Sequence, residues 1–145
     1  MKKIRLVLLS VIFLMLGGCS VLEDVNNSLD YLNETTDYIN ELSTFAEEAP
    51  SLFQDAATNP DSLQKLEDQI TTLEKSAQEF NELKPPSVAK DVHNSIVEKN
   101  ERLLSEINNA KQNGELAIEQ INNSEIFTTI NEIKELQSQI EELGL

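Results

Sequence analysis

A seven-residue repeat dominates the first half of this chain: DYLNE at Asp30–Glu34 returns as DYINE at Asp37–Glu41, then more loosely as TFAEE. Seven residues are almost two turns of an α-helix, so the repeat stacks like residues on one face. On a helical wheel Val25, Leu29, Leu32, Ile39 and Ala46 form one apolar stripe. Tyr31, Tyr38, Leu42, Phe45 and Ala49 form a second, adjoining stripe. Asn33, Asp37, Asn40, Glu41 and Glu48 fill the opposite arc. A face this wide predicts a helix from about Leu22 to Ala49 packed against two neighbours.

The same period continues downstream, and alternation of period two is almost absent. Pro50 is expected to end the first helix, leaving SLFQDAATNPD as a connector. Asn59-Pro60-Asp61 is a start signal: a capping side chain, proline at the first helical position, an acid in the first turn. Leu63, Leu66, Ile70, Leu73, Ala77 and Phe80 then make a narrow, coiled-coil-like seam. Pro85 and Pro86 break it, and Ser87 is placed to cap a third helix over about Val88–Asn113. That helix carries Ala89, Val92, Ile96, Leu103, Ile107 and Ala110, with Gly114 as its stop. Asn123-Ser124 signals a last helix with Ile126, Ile130, Ile133, Ile140 and Leu143 on one side. The expected fold is all-α, an antiparallel bundle of about four amphipathic helices.

The first 18 residues belong to a different class. Lys2, Lys3 and Arg5 precede an 11-residue apolar run from Leu6 to Leu16, followed by Gly17, Gly18 and the lone cysteine, Cys19. This is the layout of a secretory signal peptide, and the run is well short of the about 20 residues a bilayer span needs. Leu16-Gly17-Gly18-Cys19 resembles the lipobox of bacterial lipoproteins. The resemblance implies diacylglycerol on the Cys19 sulfur and, commonly, a further acyl chain such as palmitate on the new amino group after cleavage at Gly18. Two acyl chains give lasting attachment at about 0.8 kcal/mol per buried CH₂. The domains are therefore residues 1–18, a cleaved leader, and residues 19–145, a lipid-anchored domain. A single cysteine forms no internal disulfide and, with no second cysteine, no thiolate metal site.

Loss of the leader removes three of 11 Lys and Arg, leaving 8 against 26 Asp and Glu and a net charge of −18. That charge argues against nucleic-acid binding, which needs a contiguous basic face. It also argues against a polybasic membrane-binding surface and makes an acidic body stand off anionic headgroups.

Candidates for chemistry are few. His93 and Asn100 fall in the apolar arc of the third helix and Thr36 in that of the first, as pocket-lining groups or as hydrogen-bonded core residues that fix register. His93 has no metal-ligating partner one turn away, where Ala89, Lys90, Ile96 and Val97 stand, so no metal or cofactor is expected. No nucleophile motif appears, and no catalytic residue or enzymatic activity is expected. The acids of Asp55–Asp61 lack the alternating spacing and turn glycine of a calcium loop. Tyr31, Tyr38 and Phe45 are either an exposed partner-binding ridge, a sugar-stacking platform, or bundle core.

The lipobox, DVNNSLDYLNETTDYINE, the junction FNELKPPSVAKDVHNSIV and an isoleucine-rich last helix together resemble a family of small, uncharacterised lipoproteins of bacilli built on a domain of unknown function. The resemblance spans essentially the whole chain. It implies a Gram-positive membrane protein held at the extracytoplasmic face by Cys19, and supplies no activity. The expected role is a non-enzymatic interaction module with an envelope protein as partner. The alternative is a small-ligand or cation-binding lipoprotein with an interhelical pocket near His93 and Asn100.

Overall fold

The computed structural model describes residues 19–112, 115–122 and 124–143. The leader, residues 1–18, lies outside them, as do the side chains of residues 19–26, including Cys19. Helix α1 runs Cys19–Ala56, α2 Pro60–Glu82 and α3 Lys90–Asn109; α4 is Ile118–Asn122, α5 Ile126–Glu135 and α6 Gln137–Glu142. None of the described helices is long and apolar enough to cross a membrane.

The helices close into a ring. Helix α1 packs on α2, α2 on α3, α3 on α5 and α5 back on α1, so α1 and α3 face each other diagonally. This is the expected antiparallel all-α bundle, and Ile39, Leu42, Leu66, Ile70, Leu73, Ile96, Leu103, Ile107, Ile130 and Ile133 fill its centre. The seam of α2 is buried as its spacing requires, apart from the half-buried Leu63. Asn59 caps α2 by accepting from the Asp61 amide at 3.0 Å.

Helix α1 does not stop at Pro50. The proline lacks an N–H, so the Ala46 carbonyl loses its partner one turn back, at a cost of about 3 kcal/mol. The helix nevertheless continues to Ala56, because Ala49, Phe53 and Ala56 carry the apolar face into the core while the Pro50 ring points to solvent. Burying Phe53 alone returns about 1.5–3 kcal/mol. The Ser51 hydroxyl also donates to the Glu48 carbonyl at 2.8 Å beside the break. Pro50→Ala is therefore expected to stabilise the domain by about 2 kcal/mol, the helix gain less the unfolded-state entropy that proline removes. A higher urea midpoint at unchanged slope is the expected readout.

Other boundaries also move. Ser87 caps nothing: residues Ser87–Ala89 form a 3-10 turn entered at Pro86, and neither it nor α3 has a side-chain cap. Helix α3 ends at Asn109 instead of Asn113, and the chain turns through a two-residue antiparallel ladder, β1 Lys111–Gln112 against β2 Glu115–Leu116. The Ala117 amide closes this hairpin on the Ala110 carbonyl at 2.9 Å. Lys111 Nζ ties it to Glu74 of α2 at 2.6 Å. Ser124 turns its hydroxyl back to the Ile121 carbonyl at 2.7 Å instead of capping α5. The last helix is broken at Leu136, with Ile140 of α6 still buried. Leu29, placed by the wheel on a core stripe, is 47% exposed. The packing face is the second stripe together with Ile39.

Candidate functional site

Four of the five candidate residues meet at the bundle axis. Tyr31 and Tyr38 are one heptad apart on α1, as are His93 and Asn100 on α3. The Tyr31 hydroxyl lies 3.2 Å from His93 Nδ1, and the Tyr38 hydroxyl donates to Asn100 Oδ1 at 2.5 Å, each pair separated by 62 residues. Equal offsets mean that α1 and α3 run parallel and in register, and that phenols long enough to span the diagonal connect them. One heptad further on, the same offset falls on Phe45 and Ile107, both buried and apolar, and the polar ladder ends.

Phe80 of α2 holds both rungs. Its ring stacks on Tyr38 at 4.9 Å and on His93 at 5.1 Å, and tilts against Tyr31 at 6.5 Å. Asn100 Nδ2 donates to Asn81 Oδ1 at 2.9 Å and reaches the Ala77 carbonyl at 3.5 Å, so its amide is occupied on both sides. Phe45 belongs to a separate aromatic group, stacked on Phe127 at 6.0 Å, which in turn meets Phe53 edge-on at 5.9 Å.

This placement decides among the three readings of the aromatic stripe in favour of bundle core. Tyr31, Tyr38 and Phe45 are 3%, 5% and 4% exposed and form no outward ridge or stacking platform. They are core, because a small bundle with few aromatics needs their area inside. The pocket reading also loses its residues. His93 and Asn100 are buried, and neither lines any of the four best-formed surface clefts of about 200–650 Å³. The polar intruder on α1 is Thr35, fully buried, and not its neighbour Thr36, which is half-buried. Thr35 Oγ1 makes no hydrogen bond of good geometry, although its hydroxyl faces the Tyr31 phenol. Asn81 was invisible as a partner in the sequence. Its only signal is its place directly after Phe80, at the rim of the α2 seam.

Burial sets the electrostatics. It pushes the Tyr31 phenol up, with slight relief from Thr35. It pushes Tyr38 well above the ordinary tyrosine range, against a lowering by the Asn100 hydrogen bond and with a further rise from Glu41. Both tyrosines stay protonated. Burial also lowers His93 below the ordinary histidine value of 6.5. At neutral pH the ring is uncharged, so one ring nitrogen carries a proton and the other accepts, and the Tyr31 hydroxyl, able to do either, pairs with Nδ1 in whichever tautomer is present.

A histidine with a lowered folded pKa makes acid destabilising. The unfolded chain takes up the proton at about pH 6.5 while the folded chain still refuses it, so stability rises with pH across that interval. Stability is therefore expected to be flat above pH 6.5, to fall below it, and to level once the folded ring is protonated. Urea midpoints across this range check it, and His93→Gln is expected to flatten the profile. Glu132, held low by its hydrogen bond from Lys99, loses its contribution separately, as pH falls below 4.5.

Among the described residues no group of three or more His, Cys, Asp or Glu is arranged to hold a metal ion. The ladder is a structural polar network whose members satisfy one another. The profile of a family of unknown function, DUF6376, matches residues 31–143, beginning at the first tyrosine of the ladder. The chain belongs to this family. The uncharacterized lipoprotein YybP of Bacillus subtilis (strain 168) is 36% identical over 147 residues, with 99% of each chain covered. No solved structure matches. Both rungs lie inside the DUF6376 segment, while Cys19 lies ahead of it.

Proposed function

We propose that the protein is an extracytoplasmic lipoprotein, anchored through Cys19, whose acidic bundle is a non-enzymatic interaction module for another envelope protein. One observation carries the reading. The tyrosines, histidine and asparagine that the sequence offered for chemistry spend their hydrogen bonds on one another at the bundle axis, which leaves recognition to the outer surface. The n-region, apolar run and lipobox support the anchor, as does a lipoprotein relative of the same length. A mature charge of −18 supports a partner with a basic face over nucleic acid or an acidic protein.

The test is in-cell crosslinking of the tagged full-length protein, with mass spectrometry of what is recovered. One envelope protein captured reproducibly by the wild type, and lost from a Cys19→Ala variant that leaves the membrane, is the expected result. Recovery of the protein alone overturns the module reading. Retention of Cys19→Ala in the membrane overturns the anchor.

A further inference from the structure

Helix α1 carries nine Asp and Glu and no Lys or Arg in its 38 residues. All eight cations of the mature chain follow it, from Lys65 to Lys134. Elsewhere acids meet cations of the same chain: Glu132 of α5 holds Lys99 at 2.7 Å and Arg102 at 3.3 Å, and Glu74 of α2 holds Lys111 at 2.6 Å. Glu34, Asp37, Glu41 and Glu48 of α1 are in no ion pair among the described residues. At spacings of three, four and seven they stand on one side of the helix, where neighbouring like charges oppose helix formation.

That side borders the seam between α1 and α2, which is open as a furrow. Three clefts follow one another along it. The first, about 400 Å³, has Glu34, Asp37 and Glu41 on one wall and Glu79 on the other, over Phe80 and Leu83. The second, about 200 Å³, shares Glu41 with the first and is floored by Phe45 and Leu73. The third, about 410 Å³, shares Asp68 and Gln69 with the second and extends to Glu48 and Leu52. The shared residues make the three one furrow, about 27 Å long from Glu34 to Leu52 on α1. A single cation, Lys65, lines it, at the Leu52 end. The furrow also holds a polar group short of a partner: Gln69 Nε2 donates to Glu48 at 2.8 Å, while Gln69 Oε1 is buried with no donor among the described residues.

We infer that this furrow is the docking groove for a basic amphipathic helix of the partner protein, which sets Lys or Arg at seven-residue intervals over Glu34, Glu41 and Glu48 and apolar side chains on the floor between them. The inference rests on the interaction-module reading and names the surface and the partner's chemistry. Carboxylates seven residues apart recur at about 10.5 Å, so a helix laid along the furrow meets them in register. The groove between two packed helices is also the shape that receives the ridge of a third. The occupant's cations relieve the like-charge crowding on α1, and one at Glu48 frees the Gln69 amide to turn its oxygen to a donor. A second copy of this chain is disfavoured by the mature charge of −18, as is an anionic bilayer.

The probe is a synthetic helix of about 20 residues, about 30 Å long, with arginine at every seventh position and leucines on the same face. It is titrated onto the lipidated full-length protein in phosphatidylcholine nanodiscs, and binding that weakens as salt is raised is expected. Glu34→Gln with Glu41→Gln and Glu48→Gln is expected to lower the affinity about tenfold, the effect of three exposed ion pairs. Glu98→Gln with Glu101→Gln and Glu135→Gln removes the same charge from exposed positions on α3 and α5, and is expected to change it less than about twofold. A peptide of the same composition with its arginines out of that spacing is expected to bind as weakly as the furrow variant does. Equal weakening by both sets of substitutions, equal binding of both peptides, or no binding overturns the docking groove. In cells, a photocrosslinking residue is placed at the exposed Thr44, in the furrow, or at Ser105, exposed on α3 and lining none of the three clefts. The expected product at Thr44 is a crosslink to a helical segment of an envelope protein that carries Lys or Arg at seven-residue intervals. Capture at Ser105 alone overturns the groove and leaves the interaction module standing, and capture at neither position overturns both.

Discussion

A variant carrying Tyr31→Ala with Tyr38→Ala is expected to be largely unfolded without denaturant. Each change removes a ring buried to within a few per cent and leaves a cavity, at about 3–5 kcal/mol for an aromatic truncated to alanine. Each also strands a polar partner: His93 Nδ1 in one case, Asn100 Oδ1 in the other. The rings share Phe80, so the two costs do not add exactly, yet even a discounted sum approaches the whole 5–15 kcal/mol of a typical domain. Far-ultraviolet circular dichroism and urea titration decide it. Unaltered helicity with a midpoint near wild type would return the tyrosines to the surface and refute their place in the core. Tyr38→Phe isolates the hydroxyl and is expected to cost only about 1–3 kcal/mol.

The second large effect is at Asn100. Truncation to alanine removes three contacts at once, to the Tyr38 hydroxyl, Asn81 and the Ala77 carbonyl, in a position with no access to water. A loss of about 2–4 kcal/mol is expected, more than deleting Tyr38's hydroxyl, because two polar groups are left without partners. The informative quantity is the coupling in a double-mutant cycle with Tyr38→Phe. Once the phenol is gone, Asn100→Ala no longer orphans it, so the combined loss is expected to fall short of the sum by about 1 kcal/mol or more. Strict additivity would mean that the 2.5 Å contact contributes nothing specific.

The sequence was most readable where one principle acted alone. The α2 seam and the Asn59 cap are local, and both are found as the spacing and the start signal require. The heptad on α1 correctly implied two neighbours. It did not say which of two adjoining stripes turns inward, and a shift of one position exchanges Thr35 for Thr36 and exposes Leu29. Pro50, Ser87 and Ser124 depart from their local signals for one shared reason: a stop or cap signal carries only about 1–3 kcal/mol, and burial of the nearby Phe53, Ala89 and Ile121 in the core outweighs it. His93 and Asn100 were visible as intruders on an apolar face. Their partners were not, because a 62-residue offset across a bundle diagonal has no period for a helical wheel to display.

Helix α1 has one more consequence. Its 38 residues make a single helix of about 57 Å, running from Cys19, past both polar rungs, to the Phe53 aromatic group at the far end. A helix of that kind is a lever. The missing hydrogen bond at Pro50 lies beyond both rungs, so a tilt imposed at Cys19 reaches the ladder along uninterrupted helix and is relaxed only past it. Under the anchoring proposed above, the orientation of the body would follow how its first residue sits in the bilayer.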